Sequence, residues 1–348
     1  MLIDQHRLQP WAWLLLLMSL LFQDDTSRRT WHVRWLGTLS VETLLRWLTI
    51  SVYFWSAVSK FDRGFFATHG PAMLDALFQS VSGGGLAAAL KWRLAVALPM
   101  GELLIAIGLS WPRSRQVALW GAIGLHVALI LALGPLGLRH RPGVLLWNVA
   151  FIGHNWLLFG GRATNHPKRQ RGRTLHGAMI LSDEQTRHSE LREAPALADA
   201  SGYFRACLTR IVVMSAILWP IMESFGLCDH WLAWSVYSTR TERVSVTLSA
   251  EGIRRLPEAA QRLVKGGELP LDRWSLESLN APIYPQLRFQ LGVVEWLRIR
   301  CGEENVLEVT VVHSGSRLKG EVTTEFVPGD QISQRLDHFW INARPKTE

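Results

Sequence analysis

Residues 35–160 carry four apolar stretches, Trp35–Ala57, Leu94–Trp111, Val117–Leu138 and Gly143–Gly160. Each is close to the roughly 20 residues a helix needs to cross a ~30 Å hydrocarbon core. A fifth stretch, Leu208–Gly226, follows a polar loop. This pattern predicts an α-helical polytopic membrane bundle, with a core of four helices plus a fifth long span. The earliest apolar run, Trp11–Phe22, is only twelve residues long. It reads as a retained short helix, with an interfacial helix or a signal h-region as alternatives. One Arg, then Pro10, and no small-residue cleavage site before Asp24-Asp25 fit a signal peptide poorly.

Composition divides the chain in two. Residues 1–228 hold twelve of the 17 tryptophans and 22 Lys/Arg against 13 Asp/Glu, whereas residues 229–348 carry 15 against 16. The front is apolar and basic, the back near neutral. A single soluble globule is excluded, and so is an extended nucleic-acid-binding face, because the positive charge sits between apolar spans. Loops 23–34, 112–116 and 161–207 carry three, two and eight Lys/Arg; loops 58–93 and 139–142 carry four and two. The more basic set is expected in the cytoplasm. The basic run 166–173 then reads as a stop-transfer and topology signal, with binding of anionic lipid or nucleic acid as the alternative. Five spans after loop 23–34 place residues 229–348 outside, which is the periplasm if the cell is Gram-negative. The expected units are a short apolar helix and loop (1–34), the bundle (35–160), a basic cytoplasmic loop (161–207), an additional span (208–226) and an extracytoplasmic domain (229–348).

Cys207 and Cys228 flank the last span, roughly 31 Å apart along a helix, too far to bridge. Cys228 and Cys301 share the outer compartment, where a disulfide is permitted. No Cys-x-x-Cys is present.

Beyond Asp229 the pattern becomes that of a small soluble α+β domain. Arg243–Ser249 alternates polar and apolar residues as a half-buried strand does. Asn305–His313 and Lys319–Phe326 read as two more strands around Ser314-Gly-Ser316. Pro257–Lys265 and Gln286–Cys301 read as helices, and Pro270, Pro282 and Pro285 punctuate a middle loop. No triad, metal cluster or phosphate loop stands out there, and a partner-binding or lid role is expected.

Ionisable groups within apolar spans are costly and normally face a protein interior or a cavity. On the first long span Glu42, Arg46, Thr49, Tyr53, Ser56 and Lys60 recur at spacings of four and three, which puts them on one helical face. The stripe is roughly 27 Å long, nearly the membrane depth. Glu102, His126, Asn148, His154 and Asn155 lie within the later spans as potential partners. Together they suggest a buried polar chamber that could bind a quinone-like ring, relay protons, or cross-link helices. Glu42–Arg46 is an i,i+4 pair near a membrane face and reads as structural. Lys60 sits where lysine often snorkels to water.

The segment Tyr53-Phe-Trp-Ser-Ala-Val-Ser-Lys-Phe-Asp62 resembles that of the vitamin K-dependent γ-carboxylases and their bacterial relatives, the HTTM-domain proteins. Gly101–Leu109, the basic turn at Arg113 and Arg115, His126, Gly134-Pro and Trp147-Asn148 are similar to DoxX-like and MauE-like membrane proteins. The resemblance covers about residues 35–160. It implies a four-helix quinone- or redox-associated membrane protein, often needed for maturing a partner. On the carboxylase branch it implies that Lys60 is a base acting on a quinol. The chain is much shorter than a carboxylase, and DoxX-like proteins usually lack an outer domain.

The expected function is therefore a multi-pass cell-membrane protein holding a quinone-like ligand. Lys60, Glu102 and His126 would be the proton-transfer groups; Tyr53, Ser56, Asn148, His154 and Asn155 would contact the ligand. No metal is expected. The alternative is a non-enzymatic scaffold whose outer domain binds a periplasmic protein. Small-solute transport is weaker, because no inverted repeat accompanies Pro99 and Pro220.

Overall fold

The computed structural model describes residues 10–25, 40–140, 142–161, 195–225, 228–235, 240–279, 283–313, 315 and 322–339. Trp35, the basic run 166–173, and Ser314 and Ser316 of the expected turn lie outside the described residues. The chain is mostly helical with a small sheet domain towards its carboxyl end.

Nine helices precede the sheet among the described residues: α1 (Pro10–Asp25), α2 (Val41–Lys60), α3 (Arg63–Ala67), α4 (His69–Ser82), α5 (Ala88–Ala95), α6 (Ala97–Ser110), α7 (Arg115–Leu133), α8 (Pro142–Phe159) and α9 (Pro195–Leu218). Helix α2 starts where Ser40 Oγ accepts from Thr43 N at 3.1 Å, a cap contributing about 1 kcal/mol. It runs through Lys60, so the whole polar stripe is helical. The expected span from Leu94 is two helices, α5 and α6, meeting at Val96. Pro99 accounts for the break, since it lacks the N–H that would bond the Ala95 carbonyl. Helix α7 stops at Leu133 rather than Leu138, because Gly134-Pro135 turns the chain back and Leu138 N bonds the Ala132 carbonyl at 2.9 Å. Helix α9 begins well before Leu208, and the segment Trp219–Phe225 after it is a 3-10 helix rather than α-helix.

Helix α2 is the hub, packing against α1, α6, α8 and α9, while α6, α7 and α8 follow one another around it. Gly108 sets the approach of α6 to α7: a Cβ there would lie 2.7 Å from that of Ala118. Leu44, Leu48, Leu109, Leu119 and Phe159 fill the core. Among the described residues, two stretches are by length and composition able to cross a membrane by themselves, Ala88–Ser110 and Arg115–Leu133. The other expected spans lose apolar character to their polar residues, Glu42, Arg46, Tyr53 and Lys60 on α2 and Asn148, His154 and Asn155 on α8.

The carboxyl-terminal domain is a four-stranded antiparallel sheet of order β2-β1-β3-β4, with β1 Arg243–Leu248, β2 Glu268–Pro270, β3 Val306–His313 and β4 Thr323–Pro328. Val246 pairs with Val309 and Leu269, and Val309 with Val327, so one face is apolar throughout. Helices α10 (Ala250–Arg255), α11 (Glu258–Gln261), α12 (Leu271–Leu279), α13 (Leu287–Cys301) and α14 (Ile332–Asp337) complete it. Leu287, Leu291, Val294, Leu297 and Cys301 recur on one stripe of α13 and cover that face. Two expectations are corrected. Only Glu258–Gln261 of the expected helix Pro257–Lys265 is α-helical, because Lys265 bridges to Glu268 in a turn that Gly266 (φ 59°) and Gly267 (φ 89°) close. The expected middle loop contains β2 and α12. All three cysteines are free: Cys301 lies in this core and Cys228 is buried at the junction, so the permitted Cys228–Cys301 bridge does not form.

That junction is firmly seated. Asp229, just beyond Cys228, receives Arg288 in a two-pronged ion pair (3.0 Å on one side) and the Tyr284 hydroxyl. The Tyr284 ring stacks edge-on against Trp231 at 4.9 Å. Trp234, at φ 58°, is buried in the core of the helical bundle.

Candidate functional site

The polar stripe of α2 turns inward and meets α6, α7 and α8, but its members sort into three separate groups rather than lining one chamber. At one end Glu42 and Arg46 pair at 2.6 Å, both partly exposed. Arg46 Nε also donates to the Leu158 carbonyl at 2.8 Å, and its guanidinium lies 5.9 Å from the Phe159 ring centre. These contacts clamp the start of α2 to the end of α8.

Two turns further along α2 is a neutral network. Tyr53 Oη and His126 Nε2 are 2.7 Å apart, His126 Nδ1 and Asn148 Oδ1 2.8 Å, and Asn155 Nδ2 donates to Tyr53 Oη at 2.8 Å. Proton positions follow from the partners. Asn148 Nδ2 donates to the Val144 carbonyl at 2.8 Å and Asn155 Nδ2 to the Phe151 carbonyl at 2.7 Å. Flipping either amide would set two oxygens against each other, so both orientations are fixed. His126 Nδ1 therefore carries the proton given to Asn148 Oδ1, an acceptor only. In the neutral ring Nε2 is then the acceptor, and the Tyr53 hydroxyl donates to it. Asn155 Oδ1 is fully buried with no hydrogen-bond partner, an open acceptor beside this chain. Phe151 packs on both rings, 6.0 Å from Tyr53 and 5.1 Å from His126, and fixes their tilt. One turn earlier Thr49 gives its proton to the Leu45 carbonyl at 2.8 Å, so His154 Nε2, 2.8 Å away, donates to the Thr49 hydroxyl.

The third group lies at the far end. Lys60 Nζ is 2.6 and 2.7 Å from the two Glu102 oxygens and 2.7 Å from Ser56 Oγ. These three acceptors match the three ammonium protons. Lys60 does not snorkel to water: it and Glu102 are both buried. Asp62 points elsewhere for its capping role, accepting from Gly64 N at 2.7 Å and Phe65 N at 3.3 Å to start α3.

The structure thus brings His126, Asn148, Asn155 and Tyr53 together, pairs Lys60 with Glu102 and Ser56, and sets His154 beside Thr49. Thr49 belongs to the stripe by spacing, yet its carbonyl-bonded hydroxyl gave no signal of a role as His154's acceptor. Arg210, buried on α9, is a further buried charge that the apolar pattern of its neighbours masks.

The arrangement can hold a proton in a defined place and direct it: phenol to imidazole, imidazole to amide. No solved structure and no curated protein matches the chain. The family described as methylamine utilisation protein MauE matches residues 35–144, the segment from α2 to the start of α8, and to this membrane-protein family that part of the chain is similar.

Proposed function

We propose that the chain is a multi-pass MauE-like protein of the cell membrane that binds a quinone-like lipid-soluble ligand in its bundle and supports redox maturation of an extracytoplasmic protein partner. Helices α2, α6, α7, α8 and α9 span the bilayer, and residues 229–348 form a domain outside the cytoplasm. The surface of the bundle supports this placement: Leu104, Val117, Leu146 and Leu157 are among its most exposed side chains. Apolar outside and polar inside is what lipid favours and water does not. Exposed tryptophans gather near the helix ends, Trp111 and Trp120 at the α6–α7 turn and Trp156 near the end of α8, as aromatic belts do.

The observation that carries the ligand reading is the Tyr53–His126–Asn148 chain with the open acceptor Asn155 Oδ1 beside it. A quinol or quinone needs a hydrogen-bond donor or acceptor at each ring oxygen and a route for the proton that accompanies its redox change. Tyr53 and His126 supply such a route, and Asn155 Oδ1 is free to accept a hydroxyl. The Lys60–Glu102 pair sets the local field. Organic extraction of the purified protein, followed by chromatography with redox detection, tests this. A quinone should be retained by the native chain and lost in His126→Ala and Tyr53→Phe. Equal retention in both variants, or none in the native chain, refutes it.

A second reading, a non-enzymatic scaffold, draws on the saturation of Lys60 by three acceptors, which is what helix-joining groups need. Under it, replacing Lys60 and Glu102 together leaves partner maturation intact, whereas disrupting the sheet domain abolishes it.

A further inference from the structure

Helices α4 and α5, between the first two spans, are not explained by ligand binding or by the sheet domain. Their inner faces are well packed. Gly70 allows α4 to lie against α5, since a Cβ there would fall 2.9 Å from that of Ala95, and Met73, Leu74 and Ala76 are buried. Ser80 Oγ donates to the Leu131 carbonyl at 3.0 Å, which fixes the end of α4 beside the end of α7. The outer faces are apolar and bare: Val81 is 70% exposed, Trp92 56% and Leu136 70%, with Phe78 and Leu90 among them. Asp75, the acidic residue of α4, is paired with Lys91 at 2.7 Å.

We propose that α4, α5 and the turn at Leu136 form a ledge that lies in the headgroup boundary of the bilayer, so that a lipid surface covers this apolar face. The inference rests on the membrane reading above. Three observations choose lipid over a protein. The ledge is continuous with the lipid-facing shell, because α5 runs through a single kink into α6, whose Met100, Leu104 and Ile107 are exposed. Trp92 is flanked by Lys91 and Arg93, the pairing of an aromatic ring with basic tips that suits a headgroup layer. Trp92, midway along α5, and Trp111, just past α6, are both exposed and separated by a helical rise of roughly 28 Å, close to the hydrocarbon thickness. The ledge therefore sits at the depth where one leaflet meets water.

Nitroxide labels placed singly at Val81→Cys and Leu90→Cys, with Leu104→Cys as the mid-span reference, test this. All are made in a Cys207→Ser background, with the unsubstituted background as blank, in vesicles of phosphatidylcholine and phosphatidylglycerol. Collision rates with oxygen and with a water-soluble nickel chelate report depth. The labels at Val81 and Leu90 should show an oxygen-to-nickel ratio above that of a free label in water and below that at Leu104. A water-like ratio at both, or shielding from both reagents as under a protein partner or a second copy, overturns the ledge while the Leu104 label stays deep. A Leu104 label that is itself readily reached by nickel overturns the membrane reading, and the ledge with it.

Discussion

The Lys60–Glu102 pair gives a sharp energetic prediction. Both groups are nearly buried, with side-chain exposures of 6% and 10%, and the closest contact is 2.6 Å. With an effective dielectric near 20, unit charges about 3 Å apart attract by about 5–6 kcal/mol, and the cost of desolvating both ions offsets most of this. The net value of the intact pair is thus small, but removing one partner strands the other. Lys60→Met should destabilise the bundle by about 3–5 kcal/mol because the Glu102 carboxylate is left buried without its counter-charge. Glu102→Leu should do the same by stranding the ammonium. The double variant, apolar at both positions, should fall within about 1 kcal/mol of the native chain, so the cycle should show a coupling of several kcal/mol. Unfolding monitored in lipid–detergent discs, with the double-mutant cycle computed at one temperature, measures it. The argument is refuted if each single change costs under about 1 kcal/mol, the range typical of intramembrane hydrogen bonds, or if the double variant simply adds the two losses.

Further consequences follow from other contacts. Tyr53→Phe removes the donor to His126 and the acceptor of Asn155 while keeping the ring. It should cost about 1–3 kcal/mol in thermal unfolding, and nitrogen NMR of the native chain should show His126 protonated at Nδ1. Gly108→Ala drives a methyl into Ala118, 2.7 Å away, and should lower stability by about 1–3 kcal/mol as read by the same unfolding assay. Burial, then the charge of Asp229, pushes the Cys228 thiol up from 9.0 to about 12, and burial also raises Cys301. Both should resist maleimide at pH 8 until the chain is denatured. Because the folded-state value lies above the unfolded one, the stabilisation from Cys228 is complete below pH 9 and disappears as pH climbs towards 12. A pH series of unfolding midpoints on the native chain and on Cys228→Ala checks this, the loss being absent in the variant. Arg288→Met should strand the Asp229 carboxylate at the junction and speed proteolysis between Cys228 and Ser235, measured by timed digestion.

How far the sequence could be read depended on how local the signal was. The stripe on α2 was legible because a fixed spacing of three and four residues leaves one geometric outcome, and β1, α13 and most of β3 followed from periodicity alone. Strand β4 was placed at Lys319–Phe326; residues 319–321 lie outside the described residues, and the strand Thr323–Pro328 ends two residues later than expected, because a run of polar residues carries little register information until its partner strand supplies it. The kink at Val96 was hidden within an unbroken apolar run, and Pro99 showed its effect only on the residue four positions earlier. Helices α4 and α5 were unread for a different reason: they are short, and their apolar residues divide between a packed face and a bare one. Spacing also placed the polar residues of four helices at comparable depths, yet could not say which would pair. Lys60 reads in isolation as a residue reaching for water, and only the position of Glu102 across the α2–α6 contact turns it inward.

That pairing changes how the charges along α2 are to be understood. A chain of ionisable groups along one helix suggests a continuous path, but a path needs groups that alternate between donor and acceptor. Lys60 gives all three protons to fixed acceptors, and Glu42–Arg46 is tied to the last turn of α8. Neither can pass a proton without breaking contacts that hold helices together. The neutral segment differs. Tyr53 and His126 share a single proton between a hydroxyl and a ring nitrogen, and moving it from one to the other separates charge in a site already under the field of Lys60 and Glu102. Lys60 and Glu102 lie 2.6 Å apart as one ion pair, so their opposite charges largely offset each other at the Tyr53–His126 contact. The ion pair is then a structural joint, and on the proposed ligand reading the part of the stripe left to carry a proton narrows to the turn of α2 that holds Tyr53.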